Sequence, residues 1–422
     1  MRWAAVPLLT AAMIWAVGGS AAARAELEFD GFVQGNYSGR LSDTPCPSGT
    51  SCDFLLAEER VQLKLDGFSE DGVAAFAARV DFFHDGVLNH FEAEIRELYL
   101  DLIGDHVGVR IGRQIVTWGT GDLLFINDIF PKDWVALFTG RPLQYLKIGS
   151  DAVKIDLFPA IFSAEIVVVP FFESDRLPMG DRLIIADPLP PEIPRNKTSP
   201  WPSVKNTELS FKVSRYFADW EVAAYFSKTF YRSPATILDE APEPSEIQLF
   251  FPRLNTYGGS LTGGVLNGVL SMELGYYDSV EDRDGTNPGI ENSQLKGLLG
   301  YNQPLWQDAT LGVQGFAEWM QDYDAYRSSL PPGDFRPRDR LRWIATTRFI
   351  QRLLHQTLTL NFFAFWGITE RDAYLIPSVR YAFTDRLWGE IGANLFAGQE
   401  SQTMFGGLDQ NDNIYLTVRY SF

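Results

Sequence analysis

Long segments of alternating apolar and polar residues constrain the fold of this chain more than any other feature. The last segment puts one set of residues on one face of a strand, namely Ile414, Leu416, Val418, Tyr420 and Phe422, and Tyr415, Thr417, Arg419 and Ser421 on the other. This is the period-two pattern of a β-strand with two different faces. The polar faces carry full charges, which a sandwich core cannot accept without partners. The pattern therefore predicts sheets with one apolar face and one wet face.

Segment length and turn spacing decide between a soluble sheet and a membrane barrel. We predict about eighteen strands, many of about ten residues or longer, which is the length that a tilted strand needs to span a bilayer. A count of sixteen remains open because the boundaries are soft. The predicted strands are 27–39, 54–68, 73–83, 93–103, 107–113, 151–159, 161–172, 207–217, 220–232, 254–263, 268–280, 293–305, 310–320, 339–351, 356–368, 373–383, 386–398 and 412–422.

The connections between these strands alternate in length. Short turns such as 104–106 and 218–219 fall between long segments such as 114–150 and 173–206. This layout is typical of an all-β, transmembrane, antiparallel up-and-down β-barrel with short periplasmic turns and long extracellular loops. We expect the proline-rich 173–206 segment to be stiff and to form neither helix nor sheet pairing.

The N-terminus predicts export. An apolar run from Ala4 to Val17 follows Arg2 and precedes Ala23-Arg24-Ala25, which is typical of a cleavable signal peptide over 1–25. The run of about 14 residues is shorter than the roughly 20 that a membrane helix needs. We therefore expect a single barrel domain over 26–422. The net charge of −18 argues against nucleic acid as a partner.

Few residues suggest other chemistry. Cys46 and Cys52 lie close together in a segment rich in Pro, Ser, Gly and Thr. Because exported compartments permit disulfides, we expect a small loop-closing disulfide, with two free surface thiols as the alternative. His84 and His90 could hold a metal, but ordinary surface histidines are the preferred interpretation. No spacing demonstrates a nucleophile with its base, so we expect no enzyme, no metal site and no cofactor.

Two stretches resemble known outer-membrane proteins. The segment from Tyr415 to Phe422 resembles their C-terminal signature, which implies that Tyr420 and Phe422 are recognised by the barrel-assembly machinery. The residues Gly112-Arg113-Gln114, Trp118-Gly119, Asp122, Asn127-Asp128 and Pro131 resemble a signature of porin-like barrels, distantly those of the alginate-export type. The resemblance implies a Gram-negative outer-membrane protein surrounded by lipids and lipopolysaccharide. Assembly into a homo-oligomer is left open.

The expected function follows from barrel size. About sixteen to eighteen strands enclose an aqueous channel, so we expect passive passage of small solutes. The resemblance implies that the third loop, about 114–150, folds inward as a constriction that carries Asp122, Asp128, Lys132, Asp133 and Arg141. Alternation places bases on the facing wall, namely Arg60, Arg79, Arg110, Arg342, Arg348, Arg380 and Arg419.

Two questions stay open at this stage. The loop and wall charges either select solutes by charge and width or merely neutralise one another in a wet lumen. The many apolar residues of the third loop indicate packing inside the barrel in preference to contact with a hydrophobic substrate. An alternative function is a barrel sheath or docking component of an export or electron-transfer complex.

Overall fold

The structure is a computed structural model that describes residues 25–42, 53–178, 180–185, 193–238, 245–331 and 337–422. Both cysteines and the expected signal peptide up to residue 24 lie outside the described residues. The disulfide and the cleavage site therefore stay predictions.

Eighteen antiparallel strands form one closed barrel. Its strands are β1 (Ala25–Arg40), β2 (Phe54–Ser69), β3 (Ala74–Asp85), β4 (His90–Ile103), β5 (Val107–Gln114), β6 (Ser150–Leu157), β7 (Ser163–Val169), β9 (Glu208–Phe217), β10 (Trp220–Phe230), β13 (Arg253–Val265), β14 (Gly268–Ser279), β15 (Gln294–Trp306), β16 (Ala309–Met320), β17 (Leu341–Leu353), β18 (Leu358–Gly367), β19 (Asp372–Ala382), β20 (Leu387–Gly398) and β21 (Asn413–Ser421). Each strand pairs with its neighbours in chain order, and β21 pairs with β1 to close the sheet. The predicted count of eighteen is confirmed.

The outer surface of the barrel is apolar. On β21, Leu416 is 49 % exposed and points outward, whereas its neighbour Thr417 is 1 % exposed and points inward. The same alternation exposes Met272, Leu274 and Tyr276 on β14. Because soluble proteins rarely leave so continuous an apolar belt uncovered, and because such a belt is typical of outer-membrane barrels, it indicates a membrane-facing surface.

The two ends of the barrel differ. One end, here called the turn end, carries the short connections at 70–73, 104–106, 158–162, 218–219, 266–267, 307–308, 354–357 and 383–386. The other, the loop end, carries the long ones, of which loop 3 (residues 115–149), loop 4 (170–207) and loop 9 (399–412) matter most here. The predicted alternation of short and long connections is confirmed, although 86–89 and 368–371 at the loop end are also short.

The prediction that the 173–206 segment forms no sheet pairing is wrong. Its β8 (Arg195–Thr198) pairs in parallel with β12 (Ile247–Phe250), which pairs antiparallel with β11 (Ala235–Leu238). Pro194 and Pro200 flank the four residues of β8 and do not interrupt them, so its backbone N–H groups remain free to pair. Proline content alone overestimated the disruption.

The remaining regular elements are short. They are α1 (Trp134–Phe138) in loop 3, α2 (Tyr323–Ser329), and 3-10 turns at Leu143–Leu146, Val204–Asn206 and Gly406–Asn411. Among the residues that the structure describes, none of the helices is long and apolar enough to cross a membrane.

Candidate functional site

Loop 3 leaves the barrel wall early and enters the lumen. The strands that flank it, β5 and β6, have 8 residues each, against 16 in β2. Gly112 adopts φ +128°, and a Cβ there would collide with the carbonyl oxygen of Leu98. Only glycine suits this close approach. The wall therefore stops short at this point, and the 35 residues up to β6 turn inward instead of continuing the sheet.

A single wall carboxylate holds the first half of loop 3. Glu273 of β14 is 1 % exposed and accepts hydrogen bonds from the backbone N–H groups of Thr120, Gly121 and Asn127. It also accepts the Thr120 hydroxyl at 3.0 Å and the Asn127 amide at 2.8 Å. Charge-assisted bonds of this kind are the stronger class. Both ends of the segment 120–127 are therefore held to the wall by hydrogen bonds to Glu273.

Hydrogen bonds from other strands hold the second half. Tyr374 of β19 donates to Leu137 O at 3.2 Å, Asn413 of β21 to Phe138 O at 3.1 Å, and Asn36 of β1 to Gly140 O at 3.1 Å. Arg96 of β4 donates to the carbonyls of Gln144 and Lys147. Since β1, β4, β14, β19 and β21 are spread around the barrel, loop 3 spans the lumen from wall to wall.

The centre of the lumen is apolar. The loop contributes Leu124, Ile126, Leu137, Phe138 and Leu146 to a buried cluster whose wall members include Phe316, Ile344, Phe363, Phe365, Tyr374 and Phe396. Tyr374 stacks on Phe396 with ring centroids 4.5 Å apart, and Phe138 meets both rings edge-on. The loop residues therefore pack inside the barrel, and the lumen is less wet than the sequence suggested.

Two cavities lie beside the same two side chains, Leu123 and Phe125. The turn-end cavity, of 360 Å³, is lined by Ile115, Gly121, Asp122, Leu123, Phe125, Leu143, Gln144, Leu146 and Lys147. The loop-end cavity, of 150 Å³, shares Leu123 and Phe125 and extends to Arg342 and Ile344 of β17. Leu123 adopts φ +59°, an uncommon backbone conformation for a bulky residue. Leu123 and Phe125 thus stand between the two cavities.

The five predicted loop residues occupy different environments. Asp122 is partly exposed and pairs with Arg348 of β17 at 2.7 Å. Asp128, Lys132 and Asp133 are buried. The Lys132 ammonium donates to the carbonyl oxygens of Asp128 and Phe130, and Arg141 pairs with Glu58 at 2.8 Å.

Burial changes the acid–base behaviour of this part of the loop. Burial lowers the pKa of Lys132, a shift that Asp128 and Asp175 partly offset. For the Asp175 carboxyl in loop 4, burial has the opposite effect and raises the pKa. This carboxyl accepts hydrogen bonds from the Lys132 backbone N–H and the Trp134 indole N–H. These groups are partners inside a packed structure, where each satisfies another.

The seven predicted wall arginines all lie on lumen-facing positions, and most have a carboxylate partner. The pairs are Arg60 with Glu58 and Asp81, Arg79 with Asp66 and Glu97, Arg110 with Asp101, Arg342 with Glu370, Arg348 with Asp122, and Arg380 with Glu390. Arg419 donates instead to the Gln34 side-chain oxygen. Such pairing favours the alternative in which wall charges neutralise one another.

Sequence reasoning missed the residues that position loop 3. Glu273, Arg96 and Tyr374 all sit on polar or inward positions of predicted strands, which is the only signal that they carry. Their partners lie 48 to 237 residues away along the chain. Within the described ranges, no cluster of His, Cys, Asp and Glu is arranged to hold a metal ion.

A closed eighteen-strand barrel with an apolar outer belt and a loop folded across its lumen is a transmembrane β-barrel of the outer-membrane type. Similar solved structures include OccAB4 of Acinetobacter baumannii, with a TM-score of 0.55 and 10% identity over 94% of this chain and 98% of that one. OccK2 (OpdF) of Pseudomonas aeruginosa, solved in complex with glucuronate, also has a TM-score of 0.55 and 10% identity over 94% of this chain and 98% of that one. OccK11 (OpdR) of Pseudomonas aeruginosa has a TM-score of 0.52 and 10% identity over 94% of this chain and 96% of that one.

These structures are Gram-negative outer-membrane porins, and the likeness establishes the fold. No family model matches the sequence, and no curated protein matches it. The finer resemblance to barrels of the alginate-export type therefore stays a prediction.

Proposed function

We propose that this protein is a porin-like channel that passes small solutes across the Gram-negative outer membrane, with loop 3 as its constriction. The observation that carries the proposal is the pair of cavities that meet at Leu123 and Phe125 inside a closed barrel. In this arrangement the loop end is extracellular and the turn end is periplasmic. A solute passes from the 150 Å³ cavity to the 360 Å³ cavity by displacing these two side chains.

The charges of loop 3 divide into two groups under this proposal. Asp122 and its partner Arg348 face the passage, because both side chains are partly exposed. Asp128, Lys132, Asp133 and Arg141 hold the shape of the loop, because they are buried and paired. Arg60 is buried and also belongs to the packed structure, whereas the other wall arginines keep the lumen wet above and below the apolar centre.

The proposal includes the surroundings of the barrel. Lipids cover the apolar belt, and lipopolysaccharide meets its outer-leaflet half. Tyr420 and Phe422 point outward on the closing strand, where the barrel-assembly machinery could contact them before closure. Cleavage of residues 1–25, a Cys46–Cys52 disulfide and self-association remain part of the proposal, and no cofactor is included.

The test is the conductance of the purified protein in planar bilayers, with Leu123→Gly as the variant. Glycine removes a side chain that separates the cavities and tolerates φ +59° without strain. We expect a steady ion conductance in the unaltered protein and a several-fold higher one in the variant. Leu266→Gly is the matched control, since Leu266 has φ +53° but is 95 % exposed in a turn.

Each result decides between the functions. Equal conductance in Leu123→Gly and Leu266→Gly would remove loop 3 from its role as constriction. A lumen that conducts no ions until a periplasmic or secreted partner is added would favour the sheath or docking component over the channel.

A further inference from the structure

We propose that the loop-end cavity is a binding pocket for one uncharged six-membered ring, carried by a neutral solute on its way to the constriction. The route that the solute takes rests on the proposed function. The class of solute is inferred from the cavity itself. Three observations carry it: the volume and lining of the cavity, the pairing of its charges, and its position.

The lining is almost entirely apolar. Besides Leu123 and Phe125, its apolar members include Trp134, Phe138, Phe365 and Met404, and its charged members are Glu318 and Arg342. An apolar cavity of about 150 Å³ is large enough to accept a benzene-sized ligand. The loop-end cavity has this volume and opens toward the loop end, so a single ring fits it.

The aromatic side chains present both faces and edges to the cavity. Trp134 lies parallel to Phe138 with centroids 6.3 Å apart and meets Phe125 edge-on at 6.0 Å. Phe365 of β18 and Phe405 of loop 9 also line the cavity, with ring centroids 5.4 Å apart. Aromatic rings prefer offset or edge-to-face neighbours at such separations, so a guest ring finds partners on several sides.

The two charged residues of the lining already have partners. Arg342 pairs with Glu370 at 2.9 Å, and Glu318 pairs with Lys296 at 3.3 Å. A carboxylate on the guest ring would have to share Arg342 with Glu370, an ammonium would have to share Glu318 with Lys296, and either would give up its hydration in a lining that is otherwise apolar. The pocket therefore selects an uncharged ring.

The position of the cavity makes it an entry site. On β17, Arg342 and Ile344 lie nearer the loop end than Arg348, whose partner Asp122 lines the turn-end cavity. A solute from the loop end reaches the aromatic lining before it reaches Leu123 and Phe125. Met404 of loop 9 is 41 % exposed at the mouth, and its flexible thioether suits contact with aromatic guests.

The experiment compares phenyl β-glucoside with methyl β-glucoside, two neutral, membrane-impermeant solutes with the same sugar. Each is titrated against the purified protein in planar bilayers, and heat of binding is measured on the detergent-solubilised protein. We expect saturable interruption of the ion current and measurable heat with the phenyl compound and neither with the methyl compound. A 4-carboxyphenyl glucoside should bind at least tenfold more weakly than the phenyl one.

Two variants test the pocket itself. Met404→Ala should weaken binding of the phenyl compound about tenfold through lost apolar contact. Met272→Ala should leave it unchanged, because Met272 is 42 % exposed on the outer face. Ile344→Phe, which fills the cavity from the wall, should abolish the binding heat in a protein that still purifies as a folded barrel.

The outcomes separate this inference from the proposed function. A conducting protein that gives no heat and no interruption with the phenyl compound would show that the cavity is a packing void, and the inference would be wrong. Tighter binding of the carboxylate analogue would overturn the neutral-ring assignment. Binding heat that responds to Met404→Ala in a protein that never conducts would support the pocket and contradict the channel.

Discussion

At the scale of single residues, one carboxylate, that of Glu273, holds the first half of loop 3 to the wall. Its two oxygens accept three backbone N–H groups, a hydroxyl and an amide, all from residues 120–127. The wall beside it is built for close approach, since a Cβ on Gly258 would collide with the Asn127 side chain. The first half of the loop therefore lies on strands β13 and β14 in one defined position.

Glu273→Gln should release this half of the loop. The amide removes the charge and presents an N–H group to backbone donors, so docking should lose about 3 kcal/mol. We expect higher and noisier conductance, together with faster protease cleavage between residues 118 and 128. Glu97→Gln is the control, because Glu97 lies on the lumen side of β4 and pairs with Arg79 at 3.5 Å. The same conductance and the same cleavage rate in both variants would argue against the role of Glu273 in holding loop 3 to the wall.

At the scale of elements, the described first part of loop 4 (residues 170–178 and 180–185), here called the strap, extends across the loop end of the barrel. It starts after β7, yet Leu183 is fully buried in the central cluster beside Leu55 of β2. The neighbouring Ile184 exchanges backbone hydrogen bonds with the Asn411 side chain of loop 9. The strap therefore connects the β7 side of the barrel to β2, β3 and loop 9, and a solute from the loop end has to pass beside it.

Arg182 fastens the strap, and Arg182→Ala should open it. Arg182 is 6 % exposed, pairs with Asp85 of β3 and donates to Leu55 O. Its loss leaves a buried carboxylate without its cation, which costs about 3–5 kcal/mol. We expect new protease cleavage within 175–185 and shorter closed periods in bilayer recordings. Arg283→Ala, which removes an exposed pair with Asp278, should change neither.

At the scale of the whole molecule, the apolar belt sets where the barrel resides. Leu416→Lys should destabilise the protein in phospholipid vesicles by about 2–4 kcal/mol, the cost of a lysine facing lipid near the midplane. Ile368→Lys should cost about 0–1 kcal/mol, because residue 368 lies in a short loop at the barrel rim. Urea unfolding from vesicles measures both. Equal losses would contradict the assignment of the belt.

Barrel architecture was predictable because alternation is a local property. Each residue from Ile414 to Phe422 reveals its face from its immediate neighbours, and the same holds for the other predicted strands. The apolar composition of loop 3 likewise indicated packing. The three-stranded sheet of β8, β11 and β12 was not predictable, since four-residue strands carry no period long enough to recognise.

The site itself depended on contacts between distant parts of the chain. Tyr374 and Leu137 meet across 237 residues, and Asp122 and Arg348 across 226. Side-chain type could place charges on the lumen face, yet it could not say that Lys132 is buried while Asp122 is partly exposed.

The sequence by itself determined which residues face lipid and which face the lumen, that sixteen to eighteen strands cross the membrane, and where the long loops leave the wall. These features depend on whether each single residue is apolar or polar, because apolar side chains avoid water. The local sequence pattern therefore indicates them. Only the tertiary structure decided which charge meets which, where the two cavities lie and that Glu273 holds loop 3. Those features arise when closure of β1 onto β21 brings remote side chains into one enclosed volume.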